Sequence, residues 1–235
     1  MRKGKCLKKL LIFDAYGTLI STGKGSLNAT KEILSLQNKT IDAVEFYSDW
    51  KKYHRKHMDD CNCGIFVPER VIFEKDLEML YRKYDIDRPY QQDVAIMLAS
   101  LEGRKIFPEV RDTINKLKKK YRVVIGSTTD TKPLLFNLKE NALDVDEVYT
   151  SEGIGKYKPA EAFYRYILQS EGYGAEEAVF IGDSLNDDIL GPQKVGLTAI
   201  LVDRENKYDQ SEKVKPDHIV SDLNQLLKWE MFENG

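Results

Sequence analysis

The chain has 235 residues, enough for one core with an insertion in it. Hydrophobic residues make up 42% and charged residues 31%, with a formal charge of −2, so no general affinity for nucleic acid or anionic membrane is expected. No apolar run reaches the ~18–20 residues that span a bilayer.

Residues 1–9 form a basic lead-in. The apolar run LLIF (10–13) that follows is too short for the h-region of a signal peptide, so it reads as a first buried strand. Three cysteines, Cys6, Cys61 and Cys63, cannot all pair, and a reducing cytoplasm is the expected setting. From about 22 to 104 the pattern is helical, with stretches at 41–60, 68–85 and 91–103 and no strand of comparable strength. Beyond it, helical and strand patterns alternate. Helical stretches at 110–120, 131–142, 159–171 and 187–196 separate the apolar runs VVIG (123–126), EVYT (147–150, weaker), VFIG (179–182) and AILV (199–202). A short helix is expected at 221–229. Apolar runs between amphipathic helices predict an α/β fold, a doubly wound parallel (Rossmann-like) sheet with both faces covered. The economical division is a core of residues 1–20 and 105–235 with an all-helical domain, 21–104, inserted after the first strand.

Ligands of such sheets bind at the carboxyl ends of the strands. Four polar stations fall there: DAYGTL (14–19), GSTTD (126–130), GKYKP (155–159) and GDSLNDD (182–188). Asp14, delivered by an apolar strand to a turn, suits covalent nucleophilic catalysis. Ser127 can hydrogen-bond an anionic oxygen, and Thr128 offers a second hydroxyl beside it. Lys158, at a turn before a helix, could orient Asp14 and hold a substrate anion. Asp183 and Asp188 follow a strand, and two or three carboxylates with open water positions are what Mg²⁺ prefers. The partner so implied is a small anionic molecule. Monomer and homodimer both fit.

The four stations, in this order, resemble the motifs of the haloacid dehalogenase (HAD) superfamily: LLIFDAYGTL, VVIGSTTD, GKYKP and VFIGDSLNDDILGPQKVG. The inserted region resembles the helical cap of one of its subclasses. The resemblance implies that Asp14 is the nucleophile, Ser127 binds the transferred group and Lys158 neutralises the site. Asp183, Asp14 and the backbone carbonyl of Tyr16 would hold Mg²⁺, Thr18 would fix the nucleophile loop, and Asp188 would support the metal or Lys158.

Tyr16 divides the reading. Most phosphatases of the superfamily place a second Asp two residues after the nucleophile, to protonate the leaving alkoxide. Tyr16 is similar instead to the DxYGT motif of 2-haloacid dehalogenases, whose halide leaves without a proton. Asp183 argues the other way, because dehalogenases need no metal and usually lack that carboxylate. The dehalogenase arginine that receives substrate is matched only by Lys51, after Trp50, and lysine lacks the planar fork. A Mg²⁺-dependent phosphatase acting through an aspartyl-phosphate at Asp14 is the favoured reading. A metal-free 2-haloacid dehalogenase and a non-catalytic binding module are the alternatives.

Other features have plainer explanations. HRKHMDDCNC (54–63) matches no zinc spacing and reads as an exposed helix end running into a loop. Phe46, Tyr47, Tyr53, Phe73, Tyr81 and Tyr84 lie at helical spacing and read as the core of the insertion. Lys118, Lys119 and Lys120 read as a solvated helix end, and Asp187 as a complement to a helix dipole.

Overall fold

A computed structural model describes residues 7–37 and 39–228. Residues 1–6 of the expected lead-in, with Cys6, and Trp229 of the expected final helix lie outside the described residues. Among the described residues no helix is long and apolar enough to cross a membrane.

In chain order the strands are β1 (Leu10–Phe13), β2 (Arg122–Ser127), β3 (Glu147–Thr150), β4 (Ala178–Gly182), β5 (Thr198–Val202) and β6 (His218–Val220). They form one sheet in the order β3-β2-β1-β4-β5-β6, and every pairing is parallel. The expected doubly wound α/β fold is therefore the observed one. Five strands match the apolar runs. The sixth, β6, was not foreseen: it is three residues long, and His218 and Ile219 in it are exposed.

Burial on both faces explains why these runs are continuously apolar. Leu11 and Phe13 of β1 join Val123, Ile125, Val179 and Ile181 in one core cluster, while Leu10 and Ile12 join Val124, Ala178 and Phe180 in another. Alternate residues of each strand thus enter opposite layers.

Among the described residues, four helices lie within the segment 21–104: α1 (Gly25–Ser35), α2 (Ala43–Cys63), α3 (Glu69–Lys83) and α4 (Gln91–Ala99). Asp42 caps α2, accepting from the backbone N–H of Val44 at 2.9 Å and of Glu45 at 2.8 Å. These helices share their own apolar cluster, in which Phe46, Phe73 and Tyr81 are buried and Tyr47, Tyr53 and Tyr84 pack against them. The chain leaves the sheet and returns to it at one place, where Ser21 N–H donates to the Lys105 carbonyl at 2.8 Å.

The remaining helices are α5 (Val110–Leu117), α6 (Thr131–Glu140), α7 (Ser151–Ile154), α8 (Glu161–Glu171) and α9 (Gly191–Lys194). Three expectations need correction. The helix expected over 187–196 is a π-helical turn, Leu185–Leu190, followed by the one-turn α9. Pro192 lacks the N–H that a longer helix would use. The carboxyl-terminal helix is a 3₁₀ segment, Leu223–Lys228. Lys118 is paired rather than solvated, with Asp144 Oδ2 at 2.5 Å and Asp146 Oδ1 at 3.4 Å.

Candidate functional site

The centre of the site is the end of β1, the strand between β2 and β4. Asp14 continues the pairing, its N–H donating to the Ile181 carbonyl at 2.8 Å. The chain then turns back: Leu19 and Ile20 both donate to the Ala15 carbonyl, and Gly17 donates to the Ile20 carbonyl. Gly17 has φ +97°, and a Cβ there would stand 2.3 Å from Asp183 Oδ2. Both the left-handed backbone and the close carboxylate demand glycine.

Lys158, buried, donates to Asp14 Oδ1 at 2.7 Å and to Asp188 Oδ1 at 2.7 Å. Asp188 is held on its other oxygen by the Ser184 N–H at 2.9 Å. Thr18 is fully buried, and its hydroxyl donates to Asp183 Oδ1 at 3.3 Å. The Thr18 carbonyl accepts from Arg204 at 2.8 Å. Thr18 therefore holds the loop and Asp183. Asp14, Asp183 and Asp188 each offer an oxygen within 4.8 Å of the others.

Three carboxylates around one ammonium carry excess negative charge. Burial raises Asp14 to about 6, against the pull of Lys158 and with the push of Asp183. Asp183 also rises to about 6, from desolvation and the nearby Asp188. Burial raises Asp188 to about 7. Lys158 is raised because Asp14 and Asp188 outweigh the cost of burying it. Among the described residues, Asp14 Oδ2, Ser127 Oγ and Thr128 Oγ1 are buried without a hydrogen-bond partner. Such atoms are costly unless a ligand satisfies them. Hard oxygen donors with uncompensated charge are the donor set that a divalent cation such as Mg²⁺ takes.

Tyr16 does not turn its hydroxyl toward this centre as an acid. The phenol oxygen accepts from Asn137 Nδ2 at 3.0 Å, and the Arg104 guanidinium lies 5.4 Å from the ring centroid. Burial pushes the phenol up to about 12, against the hydrogen bond from Asn137.

Beside Ser127, the next residue Thr128 enters a cavity of about 400 Å³ between the sheet end and the helical segment. Its polar lining includes Lys51, His54, Arg55 and Glu69, and its apolar lining includes Trp50 and Phe73. Lys51 is thus in the cavity wall, exposed, with its ammonium 5.2 Å from the centroid of Tyr47.

Sequence reasoning missed several contributors. HRKHMDDCNC is not an exposed helix end: α2 runs to Cys63, and Met58 and Cys61 are buried. His54 Nδ1 and His57 Nδ1 each lie 2.6 Å from Asp76, which is fully buried. The signal was available. Asp76 stands within the apolar stripe Ile72, Phe73, Leu77, Leu80 of α3, where a charge needs partners. Arg55 donates to Asp187 at 2.6 Å and to the Lys158 carbonyl at 3.3 Å, so Asp187 pairs across from the helical segment beyond any dipole effect.

A family model described as haloacid dehalogenase-like hydrolase matches residues 8–196. The glyceraldehyde 3-phosphate phosphatase of Pyrococcus furiosus is 25% identical, over 97% of this chain and 95% of its own. The ribulose-1,5-bisphosphate 5-phosphatase of Halopiger xanaduensis is 31% identical over 54% of this chain, and the match spans only 58% of that relative's length. Among solved structures, the Bacillus subtilis HAD-hydrolase YfnB bound to magnesium superposes with TM-score 0.79 at 18% identity, covering 94% of this chain and 98% of that one. The L-2-haloacid dehalogenase of Xanthobacter autotrophicus with chloropropionic acid covalently bound gives 0.75 at 14%, again over 94% and 98%. At these identities the two structures share the fold with this chain.

Proposed function

The chain belongs to the haloacid dehalogenase-like hydrolases, and from that premise we propose that it is a Mg²⁺-dependent phosphatase of a small phosphorylated metabolite, with residues 21–104 as a helical cap. The observation that carries the reading is the triad of carboxylates, Asp14, Asp183 and Asp188, within 4.8 Å of one another, two of which, Asp14 and Asp188, share one lysine. A 2-haloacid already carries a carboxylate, and without a cation this cluster would repel it. A phosphate ester with Mg²⁺ suits it.

In this reading Asp14 and Asp183, with the Tyr16 carbonyl, would hold the cation, and Asp188, engaged by Lys158 and Ser184, would support Lys158. The cation would supply charge neutralisation on the phosphoryl oxygens. Asp14, oriented through Oδ1 by Lys158, attacks phosphorus to form an aspartyl-phosphate that water hydrolyses. Lys158 and the unpartnered hydroxyls of Ser127 and Thr128 receive the equatorial oxygens, the electrostatic task that dominates phosphoryl transfer. Lys51 and its neighbours in the cavity would contact the rest of the substrate. The phosphatase names of the relatives support this substrate class without choosing among its members.

Tyr16 favours a second reading, hydrolysis of a 2-haloacid, because no carboxylic acid stands two residues after Asp14. One panel separates the two. Phosphate release from small phosphate esters, stopped by EDTA and by Asp14→Asn, is expected. Chloride release from 2-chloropropionate that persists in EDTA would replace the phosphatase reading with the dehalogenase one.

A further inference from the structure

Attack by Asp14 leaves one task without a residue. An alkoxide or phenolate departing from phosphorus is basic, and its oxygen needs a proton as the bond breaks. The groups around Asp14 do not provide it. The Tyr16 hydroxyl is turned to Asn137. Lys158 is committed to Asp14 and Asp188. Ser127 and Thr128 are alcohols, no more acidic than many leaving groups.

Besides the hydroxyls of Ser26 and Tyr47, the cavity over Thr128 is lined by Lys51, His54, Arg55 and Glu69. Arg55 is tied to Asp187 and always charged, and Lys51 is exposed with its ammonium over the Tyr47 ring rather than fixed by a hydrogen-bonding partner. His54 is built differently. Its Nδ1 lies 2.6 Å from Asp76 Oδ2, and its ring stacks on Phe73 with centroids 4.6 Å apart and planes 23° apart. Asp76 is itself fixed by Trp50 Nε1 at 3.1 Å and His57 Nδ1 at 2.6 Å. The imidazole is therefore locked, with Nε2 on its other side.

Glu69 Oε1 is 3.4 Å from that Nε2. This is long for a charge-assisted bond, which closes to ~2.7–2.9 Å, so the N–H is not fully taken up. Glu69 is anchored to the core by the Thr129 hydroxyl at 2.9 Å, next to Thr128. The pair thus sits over the loop that carries the two unpartnered hydroxyls. Burial works against the imidazolium, but Asp76 and Glu69 prevail and raise His54 to about 9, so it carries a proton at neutral pH.

We propose that His54 is the proton donor to the leaving oxygen, with Asp76 as its positioning residue, so that the helical segment supplies the acid missing at Tyr16. The proposal rests on the phosphatase reading. As the Asp14 oxygen bonds to phosphorus, the bond from phosphorus to the ester oxygen breaks, and that oxygen takes the proton from His54 Nε2. The neutral alcohol departs. The neutral imidazole then takes one proton from the water that attacks the aspartyl-phosphate. The other proton stays on the released phosphate, while Asp14 and the imidazolium are restored.

A purely structural His54, tying α2 to α3, would be blind to the leaving group. The test is the ratio of turnover on phenyl phosphate to that on p-nitrophenyl phosphate, with Mg²⁺ saturating. The two esters have nearly the same shape, but p-nitrophenolate leaves far more readily unprotonated. In His54→Gln the ratio should fall by about tenfold, below the ~10² of full proton transfer because phenolate is less basic than an alkoxide. His54→Asn, made in parallel, gives the same reading if the first variant does not fold. An unchanged ratio in a folded variant overturns the role of His54 and leaves the phosphatase reading standing. A wild-type protein that releases phosphate from neither ester overturns both.

Discussion

Lys158 binds Asp14 at 2.7 Å in a setting where the lysine is 1% exposed, and Asp188 takes its other side at the same distance. Removing the ammonium as Lys158→Met should lower turnover by roughly 10²–10³, the scale of losing one preorganised charge at a transition state. The fold should persist, because Asp14 and Asp188, already raised to about 6 and 7, can take up protons. The sign follows from those shifts. Carboxylates raised in the folded state oppose folding once pH passes their unfolded values, and without Lys158 they oppose it more. The loss in melting temperature, measured in EDTA, should be small at pH 5.5 and larger at pH 8. An equal loss at both would show that packing rather than charge is at stake.

Asp183→Asn should weaken Mg²⁺ binding by at least about tenfold, as loss of an oxygen ligand exceeds the 10–100-fold often caused by outer groups alone. The residue is exposed to solvent even though its carboxylate faces Thr18 and the other two acids, so the fold should tolerate the change. Titration calorimetry reads the affinity directly. Wild type should also melt higher with saturating Mg²⁺, by linkage, and the variant should not. Unchanged affinity would remove the main support for a metal-dependent reaction.

Gly17→Ala tests the same centre from the backbone. The new Cβ would meet Asp183 Oδ2 at 2.3 Å, and φ +97° is strained for any other residue. A cost of about 1 kcal/mol or more is expected from the backbone alone. The more telling readout is again Mg²⁺ affinity, which should fall while far-ultraviolet circular dichroism stays as in wild type. Wild-type affinity would mean that Asp183 has room to move.

His54 predicts a pH dependence of stability. Its value is raised to about 9 in the folded protein, against about 6.5 for a free imidazole. A raised histidine stabilises fully below about 6.5, and the stabilisation is lost as pH climbs through about 9. Its size is on the order of 2 kcal/mol, discounted for partial exposure. Wild type should lose melting temperature between pH 7 and 9.5, and His54→Gln should lose markedly less. Parallel curves would place the titration elsewhere.

The sheet was legible because burial on both faces makes each strand a short apolar run, as LLIF and VFIG show. β6 escaped because His218 and Ile219 are exposed and give no such run. The helix expected over 187–196 is instead a π-helical turn that passes into a single α-turn at Gly191-Pro192. Periodicity could not foresee that a Cβ at Gly191 would strike Tyr164 Oη at 2.2 Å. Asp14, Lys158, Asp183 and Asp188 are legible because strand ends focus them on one point. His54 and Asp76 lie 22 residues apart on two helices, and only the packing of α2 on α3 brings them together.

The place where the chain leaves and rejoins the sheet has a mechanical meaning. Ser21 and Lys105 are joined by one hydrogen bond, and Ile20 bridges Ile106 beside them. Both chain connections to the helical segment therefore run through a single narrow strap, while contacts such as Arg55 to Asp187 and Thr129 to Glu69 close its other side onto the core. Released from those contacts, the segment would swing mainly about the strap. Lys51, His54 and Arg55, all on α2, would then approach or leave Thr128 together rather than one by one. Stiffening or loosening that strap, far from any reacting atom, should alter kcat and KM in concert.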